Sequence, residues 1–469
     1  MSKQLVLFAA FTLALISYSN RSEASKKSKE SRLPNIVLLI GDDHGYPYFG
    51  FNDAGYMHTP NMDKLAERGT VFTNGYVPVA HCAPSLRTLM TGILPTEYDH
   101  WKNQKKVSLM ETSEYQNLDA DERKEWEEDF TYQSMKYYET LPRLLKQKGY
   151  KTWQGGKWWE FSYQVGGFDE GMTKGWTKEQ KESDPEFFLT LMGGDGTELV
   201  RKTMDPVYDF IDKNKEGPFF LWFAPELPHW PFNAPQKYYD LYEGKGMTES
   251  AKKYYANCSW WDDGVGILMD YMEKKGLMEN TIFIYVNDNG WEQAPNQEFR
   301  HDEYTWHLGG ERGKGSFYDP SFRTPIIFSW PGKIETGVRK QDFMHSADIT
   351  ATILNYVGIN IPDNFYGTSY TDVISGKENG KRDVIIGEID NIRSAEAQVF
   401  GGDRTEGYFL RSRDWFFTWN KTKKEINLYN MHNDPFNFIN LAAKYPEVIE
   451  EYKTQVDGWI KKYGSKAEF

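Results

Sequence analysis

Residues 35–43 read NIVLLIGDD, and the fold follows from how that stretch is read. Ile36 to Ile40 are apolar without interruption, so the segment has no face to offer solvent. Such a run predicts a strand covered on both sides, as in a parallel sheet held between layers of helices. It ends in two aspartates, Asp42 and Asp43. In open α/β sheets ligands bind beyond the carboxyl ends of the strands, which makes polar residues at that point candidates for chemistry.

Working outward, the same signature recurs in GPFFLWFAP (217–225) and in NTIFIYVNDNG (280–290), the latter ending in Asp288 and Asn289. Helical patterns lie between. TPNMDKLAERG (59–69) has a cap-like threonine, a proline in the first turn, Met62 and Leu65 at helical spacing, and a terminating glycine. Residues 249–276 carry the periodicity of a long helix. Strand, helix, strand in this order predicts an α/β sheet covered on both faces. No internal repeat is present. If the strands at 35 and 281 are neighbours, Asp42, Asp43, Asp288 and Asn289 converge as three carboxylates and an amide oxygen. These hard ligands suit calcium or magnesium and do not suit zinc. One Asp-Asp pair would equally cap a helix; two pairs, each ending an apolar strand, make the stronger case.

The chain has 469 residues, more than one compact core normally supports, so a large domain with a smaller companion is expected. Hydrophobic residues at 39% and aromatics at 16% exclude a disordered chain. A net charge of −13 and a pI near 5.3 exclude nonspecific nucleic-acid binding, and an anionic substrate has to be attracted locally by clustered cations or a metal. Residues 1–19 have the lysine, the apolar run Leu5 to Ile16 and the small residues of a signal peptide, a run too short to span a bilayer. A charged, serine-rich linker over 20–33 follows, and the fold is expected to begin at Pro34. The expectation is an exported protein, periplasmic or secreted, without a stable membrane anchor. Residues 101–138, dense in charge and aromatics, read as a solvated surface excursion, with a substrate-contacting lid as the alternative.

HCAPSLRTLMTG (81–92) holds Cys82, one of two cysteines. On its own it reads equally as a buried thiol at the start of an amphipathic helix. The segments NIVLLIGDDHGY, HTPNMDKLAERGTVFTNGYV, CAPSLRTLMTG, GYKTWQGGKW, PELPHWPF, DDGVGILMDYM, VNDNG and GERGKGSFYDPSFRTPIIFSWPG occur together in one order. In that order the chain resembles the formylglycine-dependent sulfatases of the alkaline phosphatase superfamily. FFTWNKTKKEINLYNMHNDPFNFINLA resembles the C-terminal hairpin of the same family. The resemblance implies an α/β, alkaline-phosphatase-like catalytic domain over 34–360, with a mixed, mainly parallel sheet flanked by helices. It also implies a smaller C-terminal α+β subdomain over 361–469 with an antiparallel sheet.

The resemblance further implies a site. Cys82 matches the cysteine that a maturation enzyme oxidises to formylglycine, whose hydrate attacks sulfur with one hydroxyl and ejects sulfate by collapse of the other. Asp42, Asp43, Asp288 and Asn289 match the calcium ligands, with the modified Cys82 side chain beside the ion. Lys157 in GGKW and Lys314 in RGKG match lysines that neutralise sulfate oxygens. His229 in PHWP matches a histidine placed at the leaving oxygen as a general acid. The implied substrate is a sulfated carbohydrate of the ulvan, carrageenan or fucoidan kind.

Two positions depart from the family pattern. Leu86 follows the motif serine where arginine is usual, and Arg87 comes one step later, about 100° further round a helix. GKWW puts Trp159 where a histidine usually meets a formylglycine hydroxyl, and an indole accepts no proton. His44 and His81 are candidate substitutes, and Trp159 is a candidate sugar platform. In the run RHDEYTWH (300–307), His301 and His307 are candidate sugar contacts, with a structural loop equally open. Cys258 is expected to be a core thiol, leaving no disulfide. The rival functions are a phosphodiesterase or phosphonate hydrolase of the same superfamily and a glycan-binding protein without activity.

Overall fold

A strand without a polar face must be covered on both sides, and β1 (Asn35–Gly41) is buried at every residue. Ile36, Leu38 and Ile40 enter one core and Val37 and Leu39 another, as the two-residue period of a strand requires. The computed structural model describes residues 32–52, 54–185, 187–291, 312–390 and 406–464. In chain order the next strands are β2 (Thr70–Tyr76), β3 (Lys151–Gly156), β4 (Glu170–Gly171), β5 (Phe219–Ala224), β6 (Thr281–Asn287), β7 (Arg323–Ser329) and β8 (Val338–His345). With β1 they form one eight-stranded sheet in the order β4-β3-β5-β1-β6-β7-β2-β8. Only β7 runs antiparallel to its neighbours. The sheet is therefore mixed and mainly parallel, as expected.

The helices of eight residues or more among the described residues are α1 (Pro60–Glu67), α2 (Cys82–Thr91), α3 (Pro95–Met110), α4 (Ala120–Gln133), α5 (Asp205–Asn214), α6 (Glu249–Lys274), α7 (Ser346–Tyr356) and α8 (Pro446–Tyr463). Leu86, Leu89 and Met90 of α2 and Ile349 and Ile353 of α7 cover one face of the sheet. Met62 and Leu65 of α1, Val207 and Phe210 of α5, and Trp261, Val265 and Leu268 of α6 cover the other. Each such side chain taken fully from water contributes about 1.5–3 kcal/mol.

Two local expectations are refined. Thr59 does not cap α1, because its hydroxyl accepts from the Gly50 N–H instead. Asp262 of α6 takes that role, its carboxylate accepting from the Asn61 and Met62 N–H groups at 3.1 and 2.8 Å. Residues 101–138, expected as a solvated surface excursion, are mostly helical and mostly exposed or half-buried. They form most of α3 and all of α4, tied by Lys106 to Glu127 at 2.8 Å and by Lys102 to the Thr131 carbonyl at 3.2 Å. Composition alone did not show this helical order, which the contacts between α3 and α4 provide. Residues 1–31, which carry the expected signal peptide and most of the linker, lie outside the described residues. Among the described residues no helix is long and apolar enough to cross a membrane.

A second, four-stranded antiparallel sheet contains β9 (Ile385–Asp390), β10 (Glu406–Arg411), β11 (Trp415–Asn420) and β12 (Glu425–Asn430), in the order β12-β11-β10-β9. Ile449, Tyr452, Val456 and Trp459 of α8 pack on Leu410, Phe417 and Leu428 of one face. Phe409 and Phe416 pack with Tyr76 and Phe322 of the large-sheet region.

Candidate active site

β3, β5, β1 and β6 are consecutive and parallel, so their carboxyl ends open side by side. Lys157 follows β3, His229 lies on the loop after β5, Asp42 and Asp43 follow β1, and Asp288 and Asn289 follow β6. β1 and β6 pair in register up to Gly41 opposite Asn287, which sets the two acidic strand ends against each other. The Asp43 N–H donates to Asp288 Oδ1 at 3.0 Å, and the Asp288 N–H to the Gly41 carbonyl at 3.0 Å. Asp43 adopts a left-handed backbone (φ 58°), tolerated by aspartate, and its carboxylate accepts from Asn289 Nδ2 at 2.5 Å.

Every polar group here is withdrawn from water. Asp42, Asp43, Asp288 and Asn289 are buried. Lys157 Nζ reaches Asp42 at 2.8 and 3.0 Å, and Lys314 Nζ lies 3.4 Å from Asp43 Oδ2. Burial opposes the charge of Lys157, but Asp42, Cys82 and Asp43 outweigh it and hold the lysine above its ordinary range. Burial, then repulsion from Asp42 and Asp43, pushes Asp288 well above the usual carboxylate range. Asp288 Oδ2 and Asn289 Oδ1 are buried and meet no hydrogen-bond donor among the described residues. Buried acceptors without donors, beside carboxylates that repel one another, are the donor set that a hard divalent cation satisfies. Asp42, Asp43 and His229 each bring a ligand atom within 4.8 Å of the others.

Cys82 opens α2 and is 3% exposed, close enough for its charge to bear on Lys157. His229 Nδ1 shares a 2.6 Å hydrogen bond with the Trp230 carbonyl, while Nε2 lies 3.6 Å from Asp43 Oδ2. Burial and then Lys157 lower the His229 pKa from its ordinary value. Two residues that the sequence reading did not single out hold this loop. Arg201 donates to the carbonyls of Glu226 and His229, at 2.6 and 2.9 Å from Nη2, and to Asn233 Oδ1 at 2.7 Å. Its Nε also lies 3.4 Å from Glu226 Oε2. Burial raises Glu226 to about 7, against the opposing pull of Lys157 and Arg201. The acidic residue in PELPHW was the available signal; Arg201 carried none.

The remaining candidates divide. Arg87 bonds Glu160 through Nε at 2.5 Å and lies over the Tyr98 ring, 5.3 Å from its centroid. Trp159 is 4% exposed, with Lys157 Nζ 5.4 Å from its ring centroid and Phe188 on another side. A ring so buried offers no open face, and the expected platform role gives way to one of packing beneath Lys157. His44 is no substitute base: its Nε2 is bound to the Tyr48 carbonyl at 3.0 Å, its ring stacks on Phe49, and burial pushes it down to about 3. His81, half-buried, lies against Gly315, next to Lys314. Trp230, adjacent to His229, is 43% exposed. Cys258 is buried on α6, and both described cysteines are free, as expected. His301 and His307 lie outside the described residues.

Comparison with known proteins gives the family and agrees with the fold. Residues 34–359 match the family described as Sulfatase, and residues 310–462 match that described as N-sulphoglucosamine sulphohydrolase, C-terminal. An arylsulfatase of Clostridium perfringens (strain 13 / Type A) is 24% identical over 90% of this chain and 92% of its own. An ulvan-active sulfatase of Formosa agariphila is 22% identical over 94% of this chain and 83% of its own. The solved structure of Ps i-CgsB with k-i-k-neocarrahexaose superposes with a TM-score of 0.68 at 22% identity, covering 93% of this chain and 95% of that one.

Proposed function

Because the chain belongs to the sulfatase family and is a sulfuric ester hydrolase, we propose that it removes sulfate from sulfated carbohydrates, with a formylglycine made from Cys82 as nucleophile and one calcium ion as cofactor. The single observation that carries the site assignment is the set of four adjacent parallel strands ending in Lys157, His229, Asp42 with Asp43, and Asp288 with Asn289. Asp42, Asp43, Asp288 and Asn289 would hold the ion, which supplies positive charge at the ester when bound. Formylglycine, when present, supplies a geminal hydroxyl for attack on sulfur and a second one for release of sulfate.

The chain's own residues have separable tasks in this reading. Lys157 and Lys314, both inside the buried site, meet the charge that develops on the sulfate oxygens, where the low dielectric strengthens their effect. His229 presents Nε2 towards the ester and transfers a proton at the departing alcohol oxygen. Arg201 is a positioning residue, since it binds the backbone of the loop that carries His229. Trp230 takes over the sugar-stacking task first expected of Trp159, because its indole is exposed beside that histidine. Export belongs to the reading through the apolar run Leu5 to Ile16, and an aldehyde-forming maturation enzyme is the implied partner.

The test is direct. Mass spectrometry of the peptide holding Cys82 should show the thiol converted to the aldehyde in protein made with a maturation system. That protein should hydrolyse 4-nitrophenyl sulfate and release sulfate from carrageenan or ulvan oligosaccharides. Faster hydrolysis of bis(4-nitrophenyl) phosphate than of the sulfate would replace the reading with a phosphodiesterase. Binding of sulfated sugars with neither hydrolysis would leave a glycan-binding protein.

A further inference from the structure

A groove of about 450 Å³ lies between α3, the segment after α4 and the loop at residues 364–365. Its walls include the rings of Trp101, Tyr137, Tyr138 and Phe365 together with Lys105 and Asn364. Thr91, the last residue of α2, also lines it, while Cys82 is the first residue of that helix. Nine steps of 1.5 Å, from Cys82 to Thr91, separate the groove from the candidate nucleophile by about 14 Å along the helix axis. It is thus a different place from the active site.

The groove walls are fixed before any ligand arrives. Tyr138 stacks on Tyr98 with centroids 4.3 Å apart and donates its hydroxyl to the Tyr98 carbonyl at 2.8 Å. Gly92, in the left-handed conformation (φ 71°), has no room for a Cβ against Phe365, and its carbonyl accepts from the Tyr366 N–H at 2.8 Å. Tyr137 is 41% exposed, yet it carries two cations: Lys105 Nζ and Lys136 Nζ each lie 5.2 Å from its ring centroid. Neither lysine forms an ion pair among the described residues. Glu139, also in the lining, is the one carboxylate there, and its charge falls on Arg143.

We propose that this groove is a second carbohydrate-binding site, which holds a sulfated saccharide chain away from the catalytic centre. The exposed ring of Tyr137 and the half-buried rings of Trp101 and Phe365 pack on the apolar faces of sugar rings, and amide and hydroxyl groups meet the sugar hydroxyls. Unpaired lysines on a protein of net charge −13 select an anionic chain from a neutral one. Occupancy would raise the effective concentration of further sulfate esters of the same polymer at the active site, as a tethered second site does. The saccharide class rests on the proposed function.

The experiment is affinity electrophoresis of full-length Cys82→Ala protein, which leaves the gel polymer unchanged, through gels containing carrageenan, ulvan or chemically desulfated carrageenan. Retardation is expected in a sulfated gel and not in the desulfated one. Tyr137→Ala and Lys105→Ala, made separately and together and checked by melting temperature, are expected to weaken binding roughly three- to tenfold each. Unchanged retardation of the double variant would overturn the proposal, since binding would then belong to the catalytic site alone. Absence of retardation in every sulfated gel, or equal retardation in the desulfated gel, would overturn it too. Hydrolysis of 4-nitrophenyl sulfate by unsubstituted, matured protein reports the proposed function separately, so either reading can fail without the other.

Discussion

Replacing Asp288 with asparagine should move stability in opposite directions according to whether calcium is present. In the cation-free protein Asp288 is a liability. Its Oδ2 is buried without a donor among the described residues, and burial with the charges of Asp42 and Asp43 disfavours its ionisation. Asparagine keeps the acceptor that binds the Asp43 N–H at 3.0 Å and removes the charge. Ending the repulsion of this buried group from Asp42 and Asp43 is worth about 1–3 kcal/mol. For a chain of 469 residues that corresponds to a rise in Tm of about 1–3 °C. Calcium at a thousandfold excess over its Kd stabilises the parent by about 4.1 kcal/mol, and Asp288→Asn forfeits this gain. Differential scanning calorimetry in EDTA and then in calcium should therefore show the two Tm values crossing: the variant melts higher in EDTA, the parent in calcium. A variant that melts lower than the parent in EDTA would mean that Asp288 is already satisfied in the fold. Equal stabilisation of both proteins by calcium would put the ion elsewhere. Either result refutes the reasoning.

Cys82→Ala should leave Tm within a few degrees of the parent, because little buried volume is lost, while turnover of 4-nitrophenyl sulfate falls to background; retained turnover would refute its role. Glu226, raised from 4.5 to about 7, stabilises the fold when protonated. That contribution is full below about pH 4.5 and is lost as pH rises through about 7. Glu226→Gln should accordingly flatten the fall in Tm between pH 4.5 and 8, an effect of about 3 kcal/mol at most; parallel Tm curves for the two proteins would count against it. Trp230→Ala should raise KM for a sulfated oligosaccharide roughly two- to tenfold and leave 4-nitrophenyl sulfate kinetics unchanged. A shift in both substrates would indicate that Trp230 instead supports the His229 loop.

Apolar runs, helical spacing and the residues that end each strand were legible in the chain itself, because they depend on neighbours a few positions away. They placed β1, β5, β6, α1 and α6 and drew attention to Asp42, Asp43, Asp288 and Asn289. The resemblance supplied Cys82, Lys157, Lys314 and His229, whose motifs are short and local. Other features depend on partners brought from distant positions, and only the tertiary structure decided them. Register between β1 and β6, separated by more than two hundred residues, is what brings the two acidic strand ends together. Asp262 replaces Thr59 at the start of α1 because α6 crosses that helix end. Arg201 grips the His229 loop through backbone carbonyls, which carry no residue identity and so leave no trace in a motif. Tryptophan exposure is likewise a property of the assembled packing. Trp159 and Trp230 both adjoin motif residues, yet the fold buries one beneath Lys157 and leaves the other open beside His229, because exposure is set by what packs across space and not by what lies next in the chain.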